Sequence, residues 1–251
     1  MTVILRSPQE FKTWRRKQSG SVGFVPTMGA LHSGHEELLK RARKDNDLVV
    51  LSIFVNPTQF NDPKDFEKYP LTWEEDLKMA EANKVDAIFY PRYPEMYPDQ
   101  YRYKITEGEY SKLLDGAHRP GHFDGVLSVV MKLFNIVSPT KAYFGEKDFQ
   151  QMTLIKGMVE SFFMDLEIIP VPTVRESDGL AKSSRNLRLS PAEREKAPTL
   201  YKAITTYKTA EEASKFLSGQ GFKVDYVTDI GNRRFVAAFL GEVRLIDNVE
   251  I

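Results

Sequence analysis

Pro26-Thr27-Met28-Gly29-Ala30-Leu31-His32-Ser33-Gly34-His35 follows a short apolar run (Val22, Phe24, Val25) and leads into Glu36-Glu37-Leu38-Leu39. The pattern predicts a strand, a tight glycine turn and a helix. Ser33 with Glu36 three residues on has the form of a capping box, which places the helix start at Ser33. His32 then stands just before the first turn and His35 inside it, on either side of Gly34. Backbone N–H groups and the positive helix end point the same way as two imidazoles, an arrangement that holds phosphate. An isolated H-x-G-H string is as readily a locally capped helix start. Its place after the first strand of an α/β sheet favours a site, because ligands bind at the carboxyl ends of such strands.

Outward from this stretch, apolar runs alternate with helix signatures. Strand candidates are Val22–Val25, Leu48–Val55, Val85–Tyr90, Ala142–Phe144 and Leu166–Val171. Leu48–Val55 is apolar on both faces, as strands of a buried parallel sheet are. Ser7-Pro8-Gln9-Glu10 and Ser190-Pro191-Ala192-Glu193 place Ser at the cap, Pro at the first helical position and Glu three residues after the cap. Thr72–Glu75 and Thr209–Glu212 have the form of further capping boxes. Gly125–Val137 is apolar nearly all round, so it is expected to be covered on more than one side, with a second subunit as one possible cover. Ser138-Pro139 ends it. The alternation predicts a doubly wound α/β domain over residues 1–173. Beyond Val171-Pro172-Thr173 a polar stretch, Arg175–Arg188, precedes two helices and three strand-like runs, Val224–Thr228, Phe235–Leu240 and Val243–Ile246. The last two meet at Gly241-Glu242, a hairpin turn. These predict a small α+β domain over 174–251.

The 251 residues suffice for a sizeable core, and 41% hydrophobic with 12% aromatic content fits a globular protein. Lys+Arg and Asp+Glu are both 35, so the basic excess of a bulk nucleic-acid binder is missing. Zero cysteines remove disulfides, thiolate metal sites and thiol nucleophiles together. No apolar run approaches the roughly 18 residues of a bilayer span, and Met1–Arg6 lacks the apolar core of a signal peptide. A cytoplasmic protein without membrane or nucleic-acid partners is expected.

Four further clusters carry chemistry. Lys182-Ser183-Ser184-Arg185-Asn186 offers cations and hydroxyls to phosphate oxygens. By itself it reads as a solvated loop; paired with a phosphate-binding helix start, two anion sites from two domains can close over one triphosphate. Phe144-Gly145-Glu146-Lys147-Asp148-Phe149-Gln150-Gln151 follows a strand and opens a helix, with Asp148 at a capping position, Lys147 within reach of a phosphate and Gln151 near the inner face. Phe54-Val55-Asn56-Pro57-Thr58-Gln59-Phe60 ends the second strand, and its buried amides need partners, supplied either by a ligand or by the turn itself. Among the acidic residues near Glu75, the capping box explains Glu75 and leaves Asp76 as a weak candidate for a metal. His118 and His122 flank Arg119-Pro120-Gly121 and read as structural. Neither G-x-G-x-x-G nor G-x-x-x-x-G-K-[ST] occurs, so neither a standard dinucleotide site nor a P-loop is indicated.

Taken in order, Pro26–His35, Ser52-Ile53-Phe54-Val55-Asn56-Pro57, Arg119-Pro120-Gly121-His122-Phe123, Phe144–Gln151 and Ser183-Ser184-Arg185-Asn186 resemble the pantoate–β-alanine ligase (AMP-forming) family. The resemblance runs from about residue 20 to Leu245-Ile246-Asp247-Asn248. It implies a Rossmann-like doubly wound sheet of the nucleotidylyltransferase superfamily shared with class I aminoacyl-tRNA synthetases. His32–His35 is similar to the His-x-Gly-His signature, and Lys182–Arg185 to the Lys-Met-Ser-Lys-Ser loop.

The resemblance also implies chemistry. ATP lies over Gly34, with its phosphates near His32, His35, Lys147, Lys182, Ser183, Ser184 and Arg185. Asp148 holds the ribose, Gly145 and Val174 line the nucleoside site, and Met28 borders both substrates. Pantoate binds on Gln59 and Gln151, with Pro26, Phe60, Val129 and Val130 against its dimethyl group. Its carboxylate attacks the α-phosphorus, pyrophosphate leaves, and β-alanine then displaces AMP. Mg²⁺ rides mainly on the phosphates, with Asp76 at most an indirect contact. The second domain acts as a lid, and a homodimer forms through the first. Thr58 and Leu71 stand where the family usually carries Met and Arg, and Lys182 where it tends to carry Met or Leu, which adds a possible phosphate contact. A tRNA-binding relative, a simple nucleotidyltransferase and an inactive nucleotide-binding regulator are the competing readings. The charge balance and the intact His32, His35, Lys147, Gln59, Gln151 and Arg185 stand against the first and the last.

Overall fold

Leu48–Ile53, apolar on both faces, is buried at every position after the first, and the first of two units is built around it. The computed structural model describes residues 2–61 and 63–251. They fall into one unit of Met1–Gly145 with Gln150–Val171 and a second of Glu146–Phe149 with Pro172–Ile251. The second therefore begins at Pro172 and takes in the short segment after Gly145.

In chain order the first unit contains β1 (Val3–Leu5), α1 (Pro8–Arg15), β2 (Val22–Thr27), α2 (Ser33–Asp45), β3 (Leu48–Ile53), α3 (Pro63–Glu67), α4 (Trp73–Ala82), β4 (Ala87–Phe89), α5 (Tyr93–Met96), α6 (Asp115–His118), α7 (His122–Val137), β5 (Lys141–Gly145), α8 (Phe149–Ser161) and β6 (Glu167–Val171). The strands form one sheet in the order β1-β4-β3-β2-β5-β6, and every neighbouring pair is parallel. From β2 the chain steps outward through β3 and β4, then returns to lay β5 on the other side of β2. The order of winding reverses between β2 and β5, and a crevice opens at the carboxyl ends of such a pair. Thr27 and Gly145 end those two strands, so the Pro26–His35 and Phe144–Gln151 motifs both leave the sheet at this switch point.

One side of the sheet carries a core of Val25, Leu39, Val49, Leu51 and Ile88 under α2 and α4. On α7, Phe123, Val126, Leu127, Val129, Val130, Leu133, Phe134, Ile136 and Val137 are all buried within the single chain. Its all-round apolarity therefore has an explanation that needs no second subunit. β1 is a strand that the sequence pattern missed: three residues at the sheet edge, paired with β4 from Val3↔Ala87 to Leu5↔Phe89.

The second unit contains α9 (Pro191–Lys196), α10 (Thr199–Thr206), α11 (Ala210–Gly219), β7 (Lys223–Ile230), β8 (Arg233–Leu240) and β9 (Val243–Glu250). Three helices form among the described residues where two were expected, because Ala197-Pro198 separates α9 from α10. The antiparallel sheet, in order β7-β8-β9, buries Val236, Ala238, Leu240 and Leu245 against Leu200, Ile204 and Leu217. Arg175 grips Asp247 with two bonds of 2.6 and 2.9 Å and lies over the Tyr201 ring at 3.9 Å. Among the described residues no helix is long and apolar enough to cross a membrane.

Candidate active site

The loop after β2 turns on two successive left-handed residues, Gly29 (φ 82°) and Ala30 (φ 51°). Glycine reaches that region freely, whereas alanine does so at a cost of about 1–2 kcal/mol, so something must hold Ala30. The brace is Asp76 at the start of α4, which is 2% exposed. Its carboxylate accepts the N–H of Ala30 at 3.0 Å, the N–H of Leu31 at 2.7 Å and the Thr72 hydroxyl at 3.1 Å. A Cβ on Gly29 would stand 2.9 Å from this carboxylate, so the close approach also needs glycine. Burial pushes the Asp76 carboxyl up from its ordinary value, and the three donated hydrogens oppose that shift.

The loop delivers the chain to α2 with His32, not Ser33, as its cap. His32 Nδ1 accepts the Gly34 N–H at 3.1 Å, and His35 Nδ1 accepts the His32 N–H at 3.3 Å. The capping box expected from Ser33 and Glu36 is thus made by two histidines, while Glu36 pairs with Lys40 at 2.9 Å. The rings lie 4.1 Å apart, tilted by 34°. Each Nδ1 receives a hydrogen, so each neutral ring carries its own proton on Nε2. The helix end therefore presents two imidazole N–H donors beside its own positive pole. The Ser33 hydroxyl, buried in the same turn, has no hydrogen-bond partner among the described residues.

The 3₁₀ turn Pro57–Gln59 after β3 supplies the second wall. Gln59 Nε2 lies 3.3 Å from Met28 Sδ, so the two predicted substrate contacts meet. The Gln59 carbonyl is clamped by His122 Nδ1 at 2.8 Å and Arg119 at 3.2 Å, and Arg119 also reaches His122 Nε2 at 3.1 Å. Since a carbonyl only accepts, His122 carries its proton on Nδ1. α7 packs against this turn at Gly125, where a Cβ would lie 2.4 Å from the Thr58 carbonyl oxygen. Val129 and Val130, one turn further along α7, are each 5% exposed. Pro26, Met28, Phe60 and Gln151 are half-buried. Phe60 meets Phe66 and Tyr69 edge-on at 5.5 and 5.9 Å. A Cβ on Gly145, at the end of β5, would meet nothing within 4 Å.

In the second unit, Asn248 of β9 donates to the carbonyls of Glu146 and Lys147 at 2.9 and 3.0 Å, fixing the turn that carries Lys147 and Asp148. Those two side chains stand 3.5 Å apart. Val174 accepts from the Lys182 N–H at 2.9 Å, which closes a hairpin-like loop that Arg175 and Ala181 also bridge. Ser183 caps the short helix Ser184–Arg188 by accepting the Arg185 N–H at 3.3 Å. Ser184 is buried, and Ser183 and Arg185 are half-buried.

One expectation, the Thr72 cap, needs correction, and two further candidates have partners that the sequence did not show. Asp76 braces the loop after β2, each of its oxygens accepting a backbone N–H. Among the described residues no group of three or more His, Asp or Glu side chains converges as a metal site. Thr72 makes no capping bond to its helix and donates instead to Asp76. The Lys182 ammonium pairs with Glu176 at 2.6 Å within its own loop. Sequence reasoning missed Tyr97, and it read His122 as structural beside Arg119 without the reach of both to the Gln59 carbonyl.

Comparison with known proteins places the chain in a family. Residues 3–250 match the family model for pantoate-beta-alanine ligase. The chain is 81% identical over 251 residues to the pantothenate synthetase of Bdellovibrio bacteriovorus, covering 100% of both chains. It is 51% identical over 228 residues to that of Legionella pneumophila strain Lens, covering 91% of this chain and 90% of the relative. The solved pantoate-beta-alanine ligase of Francisella tularensis, complexed with beta-gamma ATP and β-alanine, matches at a TM-score of 0.96 and 41% identity over 100% of this chain and 98% of that one. The pantothenate synthetase of Thermus thermophilus matches at 0.92 and 40% identity over 99% of each. The chain belongs to the pantoate–β-alanine ligase family.

Proposed function

We propose that the ATP-dependent joining of pantoate to β-alanine proceeds here through pantoyl adenylate, with the ATP phosphates at the start of α2. The observation that carries this reading is the pair of imidazole N–H donors fixed on that helix end by the His32–His35 capping pattern. Both are neutral donors aimed from a positive helix pole, which suits charge growing on phosphate oxygens during transfer. Gly34, having no side chain, allows phosphates to approach the backbone closely, and a Cβ on Gly145 would meet nothing within 4 Å, which supports placing the nucleoside there. To the second unit we assign Lys147, Ser183, Ser184 and Arg185 as phosphate contacts, Asp148 to the ribose and Val174 to the nucleoside wall.

Pantoate is assigned to Gln59 and Gln151, with Pro26, Met28, Phe60, Val129 and Val130 around its methyl groups. Gln59 Nε2 now rests on a thioether, a weak acceptor, so a substrate oxygen gains a bond by replacing it. A pantoate carboxylate oxygen attacks the α-phosphorus, and the bond to the bridging oxygen of pyrophosphate breaks. The β-alanine amine then attacks the acyl carbon, AMP leaves with the transferred oxygen, and the amine loses a proton. No protein nucleophile takes part; positioning and charge stabilisation carry the reaction. Mg²⁺ brought in with ATP would be held mainly by phosphate oxygens and water. A homodimer through the first unit is part of the proposal, and sedimentation of the purified enzyme tests it.

ATP–pyrophosphate exchange tests the reaction order. Exchange should require pantoate and proceed without β-alanine, and AMP should accumulate only when β-alanine is added. Exchange without pantoate would point to a simple nucleotidyltransferase and overturn the assignment.

A further inference from the structure

We propose that the hydroxyls of Tyr97 and Thr58 are positioning groups for pantoate recognition: with the Gly125 carbonyl fixing its nitrogen end, they anchor the oxygen end of the Asn56 amide, so that Gln59 turns an N–H, and not its carbonyl, toward the substrate. This rests on the reading that Gln59 touches pantoate. Asn56 is 1% exposed, and both ends of its amide are engaged. Its Nδ2 donates to Gln59 Oε1 at 3.0 Å and to the Gly125 carbonyl at 3.2 Å. Its Oδ1 accepts the Tyr97 hydroxyl at 2.9 Å and the Thr58 hydroxyl at 2.9 Å, while the Thr58 backbone N–H stands further off at 3.4 Å. The two short bonds that hold the oxygen end are thus both hydroxyl bonds, and the two hydroxyls also meet each other at 3.2 Å.

The polarity propagates by elimination. With Oε1 accepting from Asn56, the Gln59 amide can only turn its Nε2 away, and that nitrogen is the atom 3.3 Å from Met28 Sδ. An Asn56 amide turned over would set oxygen against oxygen at both Gln59 and Gly125, and relief would require Gln59 to turn over as well. Its carbonyl would then face the substrate, where it repels a carboxylate.

The delivery of the Tyr97 hydroxyl is rigid. Its ring, 1% exposed, stacks on Tyr93 at 5.0 Å, meets Tyr101 edge-on at 5.5 Å and lies under the Lys132 ammonium at 4.8 Å. Burial also drives the Tyr97 hydroxyl well above the ordinary tyrosine range, so it stays a proton donor at any working pH.

Steady-state kinetics on the full-length enzyme test the proposal with Tyr97→Phe, Thr58→Val, Thr58→Ser, Gln59→Ala and the control Tyr143→Phe. Tyr143 is fully buried, and its hydroxyl accepts from Asn46 at 2.7 Å outside this network. One lost hydrogen bond is expected to raise the pantoate KM roughly 2- to 10-fold for Tyr97→Phe and for Thr58→Val. The ATP KM should stay within about twofold in both, Thr58→Ser should keep wild-type values, and Tyr143→Phe should leave the pantoate KM unchanged. If Gln59→Ala raises the pantoate KM while Tyr97→Phe and Thr58→Val do not, the positioning role is wrong and the site reading survives. If Gln59→Ala leaves it unchanged, both fall. Parallel rises in the pantoate and ATP KM, or a matching rise in Tyr143→Phe, show a general packing effect and overturn the proposal. Should Tyr97→Phe fail to fold, the Thr58→Val and Thr58→Ser pair decides in the same way.

Discussion

Asp76→Asn keeps the shape of the side chain and removes its charge and one acceptor. In the native loop one carboxylate oxygen takes the Ala30 N–H and the other takes the Leu31 N–H and the Thr72 hydroxyl. An amide can serve only one of these sides. With its oxygen toward Leu31, its NH₂ faces the Ala30 N–H, leaving two donors opposed at a position that is 2% exposed. A buried unsatisfied donor costs about 1–3 kcal/mol. The remaining bonds lose their ionic character, and relief from burying a charge offsets part of that loss. The net destabilisation expected is about 2 kcal/mol, with the left-handed Ala30 as the first point to give way.

Because Leu31 precedes the His32 cap, the adenylation step should fall by at least about 10-fold, the equivalent of 1.4 kcal/mol in the barrier. Urea unfolding measures the first effect and pyrophosphate exchange the second. The pH dependence has a definite sign. Burial raises the Asp76 carboxyl above its ordinary 3.8, so the native state takes up its proton at a higher pH than the unfolded chain does. Wild type therefore gains stability relative to Asp76→Asn as the pH falls through that raised value, and the gain is complete below the unfolded value. If Asp76 were instead a metal contact, Asp76→Asn would leave urea stability intact and raise the Mg²⁺ concentration needed for exchange. That result would refute the brace.

Three shorter tests follow. His35→Ala removes one capping acceptor and one phosphate donor, so it should cost about 1 kcal/mol of stability and about 10²-fold in exchange rate; equal effects on both would make His35 only a cap. Lys182→Met should change the ATP KM by less than about twofold, because the ammonium is already paired with Glu176 at 2.6 Å; a larger rise would restore Lys182 as a phosphate contact. Arg175→Met strands the Asp247 carboxylate, whose side chain is 1% exposed, and calorimetry should show a loss of about 3–5 kcal/mol.

Local rules made much of this molecule legible before its structure. Ser7, Ser190 and Thr209 cap their helices and exchange bonds with Glu10, Glu193 and Glu212 as the sequence pattern requires. The run at Leu48–Ile53 announced a parallel sheet because both of its faces are apolar. The failures are equally physical. β1 is only three residues long and is held by its β4 partner rather than by its own pattern. At α2 the capping rule favoured Ser33, yet a histidine Nδ1 also accepts: His32 caps by taking the Gly34 N–H, and the Glu36 N–H expected on serine bonds the His32 carbonyl instead. Asp76 was unreadable because the donors that occupy it, Ala30 and Leu31, lie 46 and 45 residues away. The Asn56 turn was equally hidden, since Tyr97 and Gly125 reach it from 41 and 69 residues along the chain. Short-range spacing reveals caps, turns and strands; the polar atoms that orient a site are supplied by the fold.

Oxygen labelling separates adenylation of pantoate from every other use of ATP. Pantoate carrying ¹⁸O in both carboxylate positions is converted with ATP and β-alanine, and the products are weighed by mass spectrometry. Attack of the carboxylate on the α-phosphorus predicts one ¹⁸O in each AMP and one in each pantothenate amide. Unlabelled AMP, with ¹⁸O in a phosphate derived from the γ-position, would contradict the pantoyl-adenylate route.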